Sequence, residues 1–186
     1  MNAYHPRHLD VAAFASAGAV LERDDAQAGF ERLAAETEGR GADRAVHWRA
    51  EGERREDASG HAQHWLHLRA EATASLICQR CLEPVDWLLA VDRSFRFVPT
   101  EAQAEIEDED SDEDVLAISR EFDLQSLVED ELLMELPLTP VHEACPSQPA
   151  FSAADPDFED VQAAKPKPFA ALARLKQGQG GAGSGG

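Results

Sequence analysis

Aromatic residues are scarce, at 6% of the chain, and cysteine is scarcer still, with three in 186 residues. An odd, low cysteine count excludes the disulfide framework of small secreted domains. No stretch approaches the roughly 18 apolar residues that a membrane span requires. The N-terminus, MNAYHPRHLD, lacks an apolar h-region for export. These absences point to a cytoplasmic protein with reduced thiols, no membrane and no evident small-molecule substrate. Gly-rich phosphate loops and HExxH helices are also missing. Positive charge is in short supply: 17 Lys and Arg face 36 Asp and Glu, a net charge of −19.

The charge is unevenly placed. Residues 1–100 carry 12 basic and 16 acidic side chains, whereas residues 101–164 carry 20 acids and a single base, Arg120. Residues 165–186 carry four bases and no acid. A polyanion is a poor general ligand for nucleic acid, because phosphate neutralisation needs clustered Lys and Arg. It attracts and steers basic proteins instead.

What is present is a strong period-2 pattern. Val46, Trp48, Ala50 and Gly52 share one face, with His47, Arg49, Glu51 and Glu53 opposite. Leu66, Leu68, Ala70, Ala72, Ala74 and Leu76 alternate with His67, Arg69, Glu71, Thr73 and Ser75. The alternation resumes in Val85, Trp87, Leu89, Val91, Phe95 and Phe97. Such runs predict strands near 45–53, 62–77 and 85–98 in an antiparallel sheet with one buried face, and a fourth strand near 115–118. The segment CQRCLEP becomes the turn of a hairpin.

Helical spacing marks the rest. HLDVAAFASA is read as a short helix with Asp10 as N-cap, Val20-Leu21 as a short strand, and Asp25–Glu36 as a second helix. EFDLQSLVEDELLMELP is read as a third over 124–136, capped by Asp123, burying Leu124, Leu127, Val128, Leu132 and Leu136, and ended by Pro137. The intervening EAQAEIEDEDSDED (101–114) holds nine acids and no base, so it is expected to be a disordered acidic loop.

Cys78 and Cys81 form a C-x2-C pair at the hairpin tip, and His142 and Cys145 an H-x2-C pair after the third helix. Four N/S donors in two close pairs match a tetrahedral structural zinc site. Two other readings stand beside it. Cys78 can be a small core residue in phase with Leu76, with the other two donors incidental. A reactive CxxC is the second, though it normally starts a helix, and here only Arg80 offers nearby positive charge. The histidines 47, 61, 64 and 67 read as a solvated face.

Residues 146–164 are rich in Pro, Ser, Ala and Asp and read as a linker. Then KPKPFAALARLK suggests a short basic amphipathic segment, with Lys165, Lys167, Phe169, Leu172 and Arg174 as candidate partner contacts. It either packs back on its own domain or grips a partner. The glycine-rich 178–186 reads as a flexible tail.

Four stretches together resemble the YceD family of bacterial proteins: LICQRCLEPV, the acidic segment, FDLQSLVEDELLMELPLTPVHEAC and AKPKPFAALARLK. The matching motif positions are Cys78, Cys81, Pro84, Glu129, Asp130, Pro137, His142 and Cys145, with Lys167, Pro168 and Phe169 in the tail. The resemblance implies a non-enzymatic factor in the synthesis, processing or stability of 23S rRNA.

The expected fold is therefore α+β: an antiparallel sheet, open or curled toward a barrel, packed by a few helices. A helical lead-in (1–44) precedes the core (45–145), followed by the linker (146–164), the basic motif (165–177) and the tail. The expected role is an acidic adaptor for a basic ribosomal or assembly protein, or a contact to 23S rRNA precursor. The competing classes are a thiol- or zinc-dependent enzyme and a general acidic chaperone.

Overall fold

The computed structural model describes residues 4–57 and 59–147. The chain divides into units at Met1–Pro149 and Ala150–Gly186, and the described residues belong to the first. The basic motif with Lys165, Lys167, Phe169, Leu172 and Arg174 lies outside the described residues, as do the glycine-rich tail and the linker from residue 148 on.

The elements run α1 (Val11–Ser16), β1 (Val20–Ala26), a 3-10 turn (Gln27–Gly29), α2 (Glu31–Glu36), β2 (Ala45–Glu56), β3 (Ala62–Ile77), β4 (Pro84–Val98), α3 (Glu101–Asp108), β5 (Asp114–Ala117) and α4 (Leu124–Met134). The five strands lie in the order β1-β2-β3-β4-β5, an open sheet that does not close into a barrel. The first three pairings are antiparallel, and β3 and β4 stay in register from His64 opposite Phe97 to Ile77 opposite Pro84. The fold is thus α+β, as the alternation predicts.

One side of the sheet forms the core. Trp48, Ala50, Leu66, Leu68, Ala70, Leu89 and Phe95 are buried there, against Phe14 of α1 and Leu124, Val128 and Leu132 of α4. Fully burying each such large apolar side chain is worth about 1.5–3 kcal/mol. Asp10 caps α1 by accepting from Ala13 N at 3.0 Å, and Asp123 caps α4 by accepting from Ser126 N at 2.9 Å. Both helices sit where their caps predict. A two-way backbone link, Leu9 N to Phe122 O (2.9 Å) and Phe122 N to Leu9 O (3.0 Å), ties their entrances together.

Three expectations are corrected. The acidic stretch is not a loop throughout: Thr100 caps α3 by accepting from Gln103 N at 3.2 Å, and Ala104 is buried on Val98 and Val115. Because that helix carries the chain back along β4, the fourth predicted strand, β5, pairs in parallel (Phe95 opposite Asp114); parallel neighbours need such a crossover. Finally, residues 1–44 are not purely helical. The short strand expected at Val20-Leu21 extends to Ala26 as an edge strand on β2, so the helix expected from Asp25 is confined to Glu31–Glu36.

Candidate metal centre

The β3–β4 hairpin turns through residues 78–83. Cys78 N donates to Glu83 O (3.0 Å) and Leu82 N to Cys78 O (2.9 Å), folding the turn back on itself. Leu82 takes φ of 63° and is 73% exposed; a leucine enters this left-handed region at a cost of about 1–2 kcal/mol. The geometry bends the backbone so that Cys78 and Cys81 face the same side. The chain leaving α4 then passes beside the turn, fixed by Gln79 N donating to Pro140 O at 2.8 Å.

This contact brings the two predicted pairs together. The ligand atoms of Cys78, Cys81, His142 and Cys145 all lie within 4.8 Å of one another. Cys78 Sγ is 3.9 Å from Cys145 Sγ, and Cys81 Sγ is 3.4 Å from His142 Nδ1. Zinc bonds of about 2.3 Å to sulfur and 2.0–2.1 Å to nitrogen imply ligand–ligand edges of about 3.5–3.8 Å in a tetrahedron. These two separations therefore match the edges such an ion would set. Cys78 is buried and the other three are partly so. Among the described residues this is the one group of three or more His, Cys, Asp or Glu arranged to share a metal.

The surroundings favour a cation. His142 Nε2 lies 3.0 Å from the Pro84 carbonyl. That acceptor requires the proton on Nε2, which leaves the Nδ1 lone pair facing the thiols. Burial pushes the Cys78 thiol up, but backbone N–H groups of Cys81, His142 and Arg80 point at its sulfur and outweigh burial, holding it down at about 5. Cys145 goes the other way. Burial, then the neighbouring Cys81 and Cys78, push it up to about 11. One thiolate is readily formed while further negative charge beside it is resisted, and a divalent ion among the sulfurs removes that conflict. The carbonyls of Pro84 and Pro140 are the parts of the site that sequence reading missed. Backbone carbonyls carry no residue-type signal.

The histidines of the sheet's wet face do not form a second centre. His67 lies 2.8 Å from both Glu53 and Ser94, His47 pairs with Asp24, and His61 is 3.4 Å from Asp57. Each is part of a surface hydrogen-bond network. Among the described residues no helix is long and apolar enough to cross a membrane.

The fold and site together define an α+β sheet protein with a Cys3His cluster of four candidate ligands at a hairpin tip. Residues 66–176 match the family described as large ribosomal RNA subunit accumulation protein YceD, and the chain belongs to that family. It is 36% identical over 114 residues to the large ribosomal RNA subunit accumulation protein YceD of Haemophilus influenzae (strain Rd). That alignment takes in 59% of this chain and 63% of the relative. No solved structure matches the chain.

Proposed function

We propose that this protein promotes accumulation of large-subunit rRNA as a binding protein rather than an enzyme, and that its direct partner is a basic ribosomal or assembly protein in the cytoplasm. The family supplies the rRNA connection. The adaptor role rests on one observation, an ordered and unanswered acidic surface on α3 and the turn after it. Glu107 pairs with Arg96, and Asp114 with Arg93. Among the described residues, the exposed Glu101, Glu105, Glu109, Asp110 and Asp112 meet no basic side chain. Such a surface resembles a phosphate backbone in charge and favours polycationic partners. The basic motif at 165–177, with Lys165, Lys167, Phe169, Leu172 and Arg174, supplies a second contact to partner or RNA.

We also propose that Cys78, Cys81, His142 and Cys145 hold one structural zinc. Four protein ligands close a tetrahedral ion, whereas a hydrolytic zinc keeps a position open for water. This separates the binding-protein reading from a zinc enzyme. The deciding experiment is capture of tagged protein from cell extract at rising salt. Recovery of a basic ribosomal or assembly protein that weakens with salt is expected. Recovery of rRNA alone, with no basic protein, overturns the adaptor reading. Ribosome profiles of cells lacking the gene test the broader role, where a deficit of large subunits is expected.

A further inference from the structure

We infer that the metal centre is a local clasp: loading it orders residues 137–147 against the β3–β4 tip, and unloading it frees that segment while the sheet persists. This rests on the zinc reading above and adds what the ion controls.

The segment has little else to hold it. It contains no helix or strand, and none of its residues is buried. Leu138 is fully exposed, and only Val141 and Cys145 rest partly on the core. Among the described residues, its hydrogen bonds and thiol contacts to the rest of the protein all land on the hairpin tip. Pro140 O accepts from Gln79 N (2.8 Å), and His142 Nε2 donates to Pro84 O (3.0 Å). The remaining contacts are the two donor pairs themselves, Cys78 with Cys145 and Cys81 with His142. Fixing an irregular stretch of backbone with so few bonds and so little burial is entropically unfavourable. Metal–ligand bonds supply the missing stabilisation.

The sheet does not depend on the segment. The β3–β4 ladder is complete by Pro84, and α4 packs on it through Leu124, Val128 and Leu132, all before residue 137. Of the four ligands only Cys78 is a buried core residue. Local opening of a strap outside the main core is the expected behaviour of a low-stability unit. Loading therefore decides whether the tip, with exposed Arg80 and Leu82, and the strap, with exposed Leu138, act as one surface.

The test is amide hydrogen exchange on the purified full chain, zinc-loaded and after chelator, with zinc content measured on both samples. The expected result is a fall in protection of roughly tenfold or more at residues 78–83 and 138–145, leaving them nearly unprotected, while β2, β3 and the core of β4 remain strongly protected. The chelated protein should still melt cooperatively, and Cys145→Ser in excess zinc should reproduce the local loss. If the sheet loses protection together with the strap, the ion is a global folding determinant and the clasp is overturned. If zinc is present but its removal changes no exchange, the clasp is likewise overturned. A chain that neither retains nor takes up zinc removes the metal reading itself, and the clasp with it.

Discussion

Glu129, on α4, caps the helix that starts beside Arg32. Its Oε1 accepts from the backbone N–H of Arg32 (2.7 Å) and of Leu33 (3.2 Å), while its Oε2 takes the Arg32 guanidinium at 3.0 Å. The residue at the N-cap of α2, Phe30, has no side-chain acceptor. A carboxylate from a distant helix therefore satisfies donors that would otherwise be orphaned. The Glu129 side chain is 11% exposed, against 49% for Asp130, which pairs with the same arginine.

Glu129→Ala leaves two backbone donors and a partly buried guanidinium without an acceptor, and should cost about 2–4 kcal/mol. Asp130→Ala removes only a half-exposed partner and should cost no more than about 1 kcal/mol. Urea denaturation of the two variants checks the order. Equal losses would show that the cap contributes nothing beyond the surface ion pair.

Gly52 lets α1 lie directly on β2. A Cβ there would stand 2.7 Å from Phe14 Cδ1 and 2.8 Å from both the Ala15 Cα and the Phe14 carbonyl oxygen. Backbone cannot give way as a flexible side chain can, so Gly52→Ala should destabilise by about 1–3 kcal/mol. Gly60→Ala meets no neighbour but sits at φ of +82°, so it should cost about 1 kcal/mol from conformation alone. Thermal melts of both variants separate the two causes, and a neutral Gly52→Ala would mean that α1 shifts freely.

If zinc occupies the cluster, purified protein should hold one ion per chain and Cys81→Ser should hold close to none. Cobalt in place of zinc should give the absorption of tetrahedral sulfur-rich coordination, which Cys81→Ser abolishes. An ion that binds only the folded chain raises the melting temperature by mass action, so chelator should lower the wild-type midpoint and leave that of Cys81→Ser unchanged. A metal-free protein with a readily reversible Cys78–Cys81 disulfide would favour the redox alternative.

What could be read from sequence followed from how the two faces of an element differ. β3 and β4 were legible because wet and buried residues alternate along them. β1 was legible only at Val20-Leu21, since Glu22, Arg23, Asp24 and Asp25 are charged on both faces and no alternation survives along the rest of this edge strand. α3 was hidden by its acids, although Thr100 and the alanines at 102 and 104 were helix-permissive. Arg93 occupies an inward phase of β4 yet is charged. It reaches Glu131 of α4 (3.6 Å) and Asp114 (3.8 Å) at the rim of the core, a pairing that only the packed helix reveals. The four candidate metal ligands were legible as donor types in pairs. Their convergence was not, because it depends on where α4 delivers residue 140.

Acid should weaken the fold partly through Glu53. This carboxylate, on the wet face, takes two bonds from Arg55 (2.8 Å each) and lies 2.8 Å from His67 Nε2, which crosses to β3. Arg55 first, then His67, hold its pKa down from 4.5 to about 2. A carboxyl with a depressed folded-state pKa favours the folded state wherever it is ionised in both states. Its contribution is therefore complete above pH 4.5 and disappears as pH falls through about 2. The side chain is 42% exposed, so solvent screening keeps the energy far below what the shift alone implies. Comparing wild type with Glu53→Gln by urea denaturation across this range should show a stability gap that is widest above pH 4.5 and closes near pH 2. The gap should also shrink in high salt, where exposed pairs are screened. A gap that stays constant with pH would assign the effect of the substitution to packing against Trp65, over which Arg55 lies at 4.5 Å, instead of to charge.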